Sequence, residues 1–140
     1  IAVVNGCMDP TAFNYDASAN TDGGTCRYTP IIGETHQGGI VFYLDGNGGG
    51  LIAAPTDQST VAEWGCWGIN FSGANGTAIG TGAKNTIDRE AGCTTSGTAA
   101  DICANLTLGG YSDWFLPSKD ELHLMWINLA DSDGNGYNTG

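Results

Sequence analysis

The sequence predicts a loop-rich α+β domain with few regular elements, preceded by a small disulfide-closed segment. Three observations lead there. Glycine supplies 23 of 140 residues, roughly twice the usual share, and requires many tight turns between short elements. The stretch GGIVFYLDGNGGGLIAAP reads as an apolar hairpin. Two later stretches place apolar residues at helical spacing.

Residues 1–28 form a first unit and 29–140 a second. Within the first, GCMDPTAFNYDASANTDGGTC is bracketed by cysteines and is too short for a core of its own. A Cys7–Cys26 disulfide closes a loop of about 20 residues and contributes roughly 3 kcal/mol in the chain-entropy model. Asp9, Asn14, Asp16, Asn20 and Asp22 offer oxygens. Those oxygens either ligate Ca²⁺, which takes roughly six to eight hard donors, or cap local turns.

Tyr28 to His36 reads as a linker. The hairpin follows, with arms Ile40–Leu44 and Leu51–Ala54 around a turn over 45–50. Both arms are continuously apolar, as in strands covered on two faces. Residues 62–86, AEWGCWGINFSGANGTAIGTGAKNT, read as compact irregular structure pinned by aromatics. Between Thr94 and Leu106, the residues Ala99, Ile102, Cys103 and Leu106 share one helical face, which turns Cys103 inward, and Gly109-Gly110 ends the helix.

The block DWFLPSKDEL, Asp113 to Leu122, is a corner. Pro117 has no N–H and biases Leu116 toward extended backbone, so an extended segment ends there, with Trp114, Phe115 and Leu116 anchoring the sheet. Ser118 and Glu121 then have capping-box spacing, opening a helix that runs to Ala130. Leu122, Met125, Trp126 and Leu129 share the face that covers the core.

Lys and Arg number 4 against 15 Asp and Glu, a net charge of -11. That balance argues against nucleic acid and anionic membrane as partners. No apolar run is long enough to span a bilayer. Ile1 is not a start residue, so the chain reads as a mature or excised segment. Five cysteines and an acidic balance suggest an oxidising, extracellular setting, with one thiol left over. Of Cys66, Cys93 and Cys103, the economical pairing is Cys66–Cys93, because Cys103 sits on a buried helix face.

Chemistry-bearing patterns are few. The final DSDGNGYNTG matches the first part of an EF-hand-like loop, with Asp131, Asp133, Asn135 and the Tyr137 carbonyl at ligand positions, but it lacks the closing bidentate Glu. The tryptophans at 64, 67, 114 and 126 are expected as buried anchors of a sparse core, with a sugar platform as the other reading. A cysteine–histidine nucleophile lacks any local signature, and phosphate-loop and zinc motifs are absent.

Three blocks, GGIVFYLDGNGGGLIAAPTDQS, then WGCWG with GTAIGTG, then ICANLTLGGYSDWFLPSKDEL, together resemble the Lcl C-terminal domain family. The resemblance spans roughly residues 31–128. It implies a C-type-lectin-like fold and a non-enzymatic, adhesive role in secreted or surface proteins of bacteria, with glycan binding in one branch. Members of that family continue past the second helix into further strands, so the resemblance implies that the C-terminal part of the sheet is missing here. The first unit looks like a cysteine-clasped, Asp-rich repeat of exported bacterial proteins. The expected function is therefore a structural or adhesive surface module, an extracellular fibre subunit joined to copies of itself or to other surface proteins by strand addition. The alternative is a calcium-dependent carbohydrate-binding module.

Overall fold

A computed structural model describes residues 1–130. Among these residues the chain is mixed α+β, with two small sheets and three helices. β1 (Asn5–Gly6) pairs in parallel with β2 (Thr21–Asp22). β3 (Thr35–His36), β4 (Gly39–Leu44) and β5 (Gly50–Ala53) form an antiparallel sheet in that order. The helices are α1 (Gly82–Gly92), α2 (Ala99–Ala104) and α3 (Lys119–Leu129).

Both expected disulfides are present, Cys7–Cys26 and Cys66–Cys93. The first clamps the N-terminal unit around the buried Cys7. Tyr28 to His36, read from sequence as a linker, is instead tied down. Arg27 Nη1 donates to Glu34 at 2.8 Å, and Glu34 also accepts from the Ile31 N–H at 2.9 Å. His36 pairs with Gly39, and its ring lies 5.0 Å from that of Phe13. Cross-strand pairing and charge fix the path here, and neither leaves a hydrophobic period in so short a stretch.

The β3–β4 connection is a two-residue turn, Gln37 and Gly38, with φ of 51° and 83°. Positive φ at both positions matches the right-handed twist of the flanking strands. Gly38 is also pressed against Gly109, where an added Cβ would lie 2.6 Å from that residue's Cα. Gly38→Ala is therefore expected to cost about 2–3 kcal/mol, from left-handed backbone plus a clash that neither main chain can relieve. Gly48→Ala, also at positive φ but with no atom nearby, isolates the dihedral cost at about 1 kcal/mol. Urea unfolding compares the two, and equal losses would remove the backbone clash from the account.

The β4–β5 hairpin lies within one residue of its expected limits. Asp45 Oδ1 closes the turn by accepting from the N–H groups of Asn47 and Gly49, at 2.7 and 2.9 Å. Cover is partial, contrary to the two-faced burial expected: Val41, Phe42 and Ala53 are buried, whereas Leu51 and Ile52 are half-exposed.

α1 is a helix in a stretch whose first part reads as irregular from sequence. Its apolar residues make no continuous stripe, and it buries Gly82 and Thr86 instead. Thr86 Oγ1 accepts from the Leu116 N–H at 3.0 Å and donates to Gly82 O at 2.9 Å, tying the helix to the corner. Lys84 and Asp88 add an i, i+4 ion pair. α2 is shorter than its apolar spacing suggests, and Cys103 is half-buried there.

The corner forms, with one difference. Trp114, Phe115 and Leu116 belong to no strand; Phe115 lies against Gly82 of α1 and Leu116 is bonded to Thr86, while Trp114 donates to Leu108 O. The capping box is complete, Ser118 N donating to Glu121 Oε2 at 2.7 Å and Glu121 N donating to Ser118 Oγ at 3.3 Å. Glu121 is fully buried, and its Oε1 accepts from the Gly80 N–H at 2.7 Å. α1 has no side-chain cap of its own, so this carboxylate supplies negative charge at its N-terminus. Further along α3, Asn128 donates to Phe42 O at 2.9 Å. Leu122 and Trp126 are exposed, so the expected core-covering face is covered only around Met125 and Leu129.

Candidate functional site

The oxygens singled out in the N-terminal unit are engaged locally. Asp9 Oδ1 accepts from the Thr11 N–H and hydroxyl at 2.9 and 2.7 Å, and Asp16 Oδ1 does the same for Ser18 at 2.8 and 2.6 Å. These bonds hold both carboxyls below the usual aspartate range. Asp22 accepts from the Gly24 N–H, Asn14 bridges the Thr25 carbonyl and the Arg27 N–H, and Asn20 accepts from the Val4 N–H. Asp9 Oδ2 accepts from the Tyr28 hydroxyl at 2.8 Å. Among the described residues, no group of three or more His, Cys, Asp or Glu stands close enough to hold a metal ion. Asp131, Asp133, Asn135 and Tyr137 lie outside the described residues.

A second place is an apolar hollow of about 400 Å³ beside β5. The β5 residues Leu51 and Ile52 line one side, with Ile102, Cys103, Phe115 and Met125 on the others. β5 is the last strand of its sheet, and among the described residues no backbone hydrogen bond reaches it from the side away from β4. An apolar trough therefore lies beside a strand whose outer edge is unpaired among the described residues. Cys103, the one free cysteine, lends it a small apolar wall; burial pushes its thiol up, away from the thiolate a nucleophile needs.

The third place was misread from sequence. Trp64 and Trp67 are expected inside, yet Trp64 is 63 % and Trp67 101 % exposed. Trp126 is 60 % exposed, while Trp114 is half-buried and donates its indole N–H to Leu108 O at 3.3 Å. Arg89 of α1 lays its guanidinium 4.0 Å from the Trp64 ring centroid and 5.4 Å from that of Phe71. Burial pulls the Arg89 guanidinium down from its usual value, with no carboxylate offsetting the effect. The Cys66–Cys93 bond fastens the loop carrying both indoles to the end of α1. Arg89 gave one sequence signal, as one of only 4 cations in the chain.

No family model, curated protein or solved structure matches this chain.

Proposed function

We propose that the chain is a non-enzymatic structural and adhesive module of a bacterial surface protein, exported and lectin-like in fold. In this reading it acts as an extracellular fibre subunit, joined by strand addition to copies of itself or to other surface proteins. The observation that carries the reading is the apolar trough along the open edge of β5. An added strand would satisfy the free backbone groups of β5 and bury apolar side chains in one step. Head-to-tail contacts of that kind extend into filaments when they do not close. Two disulfides accord with an oxidising compartment, and among the described residues no helix is long and apolar enough to cross a membrane.

The test is sedimentation velocity over a concentration series. Mass-action growth of larger species is expected, abolished by Leu51→Lys, which sets a charge on the strand edge. A strict monomer at every concentration would sink the assembly. The alternative, a calcium-dependent carbohydrate module, differs in requiring that any sugar binding be lost in EDTA.

A further inference from the structure

Two hollows of about 270 and 420 Å³ adjoin at the aromatic loop, sharing Trp64, Asn75 and Arg89 in their walls. The chain carries 15 Asp and Glu, yet among the described residues none lines either hollow. Its cations are distributed the opposite way. Arg27 is bonded to Glu34 and Lys84 to Asp88. Arg89 and Lys119 form no ion pair among the described residues, and both line the smaller hollow. In a chain of net charge -11, the two cations without an ion pair among the described residues thus line one hollow whose described lining holds no carboxylate.

We propose that this concavity binds, without a metal, a saccharide bearing a carboxylate. The inference rests on the adhesive part of the reading above and is independent of strand addition. Each group has a task. Trp67 presents a fully exposed indole face, on which the C–H face of a sugar ring stacks. Arg89 rests against Trp64 and Phe71, and its N–H groups, which make no side-chain hydrogen bond among the described residues, can grip a carboxylate in paired hydrogen bonds. Lys119 adds a second positive charge across the smaller hollow. The Asn75 amide makes no hydrogen bond among the described residues and faces both hollows, where it can meet ring hydroxyls.

Net charge sets the upper limit on the ligand's own charge. A single carboxylate feels the local cations at close range, whereas a polysulfated chain also feels the surplus acids beyond them. The site therefore favours a sparsely charged acidic sugar over a densely sulfated one.

The test titrates the full chain, in EDTA, with trigalacturonate and with galactotriose as the neutral control, followed by calorimetry and tryptophan fluorescence. Trigalacturonate is expected to bind at least roughly tenfold more tightly than galactotriose. Trp67→Ala, at an exposed position that folding does not need, and Arg89→Gln are each expected to weaken it roughly tenfold, while Trp126→Ala binds as the parent chain does. Equal binding of the two sugars, undiminished binding by Trp67→Ala, or no signal with trigalacturonate would overturn the site. Tighter binding of a heparin-type oligosaccharide would overturn the carboxylate assignment. Sedimentation of the same samples separates the two ideas: a chain that binds yet stays monomeric loses the assembly and keeps the site, and one that assembles without binding does the reverse.

Discussion

Glu121→Ala is expected to lower stability by about 3–5 kcal/mol, the largest loss from any single change considered, because buried charged acceptors are removed while their donors stay buried. The carboxylate has no exposed surface and accepts from the backbone N–H groups of Gly80 and Ser118, both at 2.7 Å. Its partners belong to the approaches of two different helices, so one side chain closes the N-terminus of α3 and neutralises that of α1. Alanine leaves those donors dry and opens a void beside Phe115, whose ring packs against Gly82 at the same point. Glu121→Gln keeps the volume and replaces one acceptor with a donor that faces an N–H. Its expected loss is smaller, about 2 kcal/mol. Urea unfolding followed by circular dichroism measures both, and a loss below about 1 kcal/mol for the alanine variant would show that the two helix ends do not depend on this residue.

The second large effect is expected at Cys66–Cys93. The paired change Cys66→Ala and Cys93→Ala opens a loop whose ends are 27 residues apart, worth about 3.5 kcal/mol in the chain-entropy model. Cys66 itself sits at φ 46°, between Gly65 at 79° and Gly68 at 81°. Freed of its bond, the loop relaxes from that left-handed backbone and recovers about 1 kcal/mol. A net loss of about 2–3 kcal/mol should therefore appear in denaturant unfolding, with the Cys7–Cys26 bond intact as internal reference. Trp64 should report the change directly: its emission shifts as the Arg89 guanidinium, 4.0 Å from its ring, loses a fixed partner. An unchanged midpoint would mean that packing alone holds the loop.

What could be read from sequence was whatever is encoded within a few residues or by the few cysteines available to pair. The Ser118–Glu121 box, the hairpin around Asp45 and the Cys7–Cys26 clasp each announce themselves through spacing, and each is found. α1 does not announce itself, because it packs through Gly82 and Thr86 and its stability comes from partners distant in sequence. β3 is only two residues long and owes its place to pairing with β4. The tryptophans failed for another reason. A large aromatic residue is usually an anchor, and only the assembled surface shows that Trp64 and Trp67 stand outside it. The buried apolar core is correspondingly slight, with Val41 and Phe42 its largest members.

The ties that close this fold are supplied late in the chain. Gly38 waits for Gly109, Gly80 for Glu121, and Phe42 for Asn128, across separations of 41 and 86 residues in the last two cases. During synthesis the hairpin emerges early with its local partners, β3 and Gly33, and gains its bond to Asn128 only once α3 follows. Such long-range closure is slow and all but complete only at the end. The corner at Pro117 is thus the latch of the fold: until Glu121 is in place, neither the Gly80 N–H nor the Ser118 N–H has its acceptor.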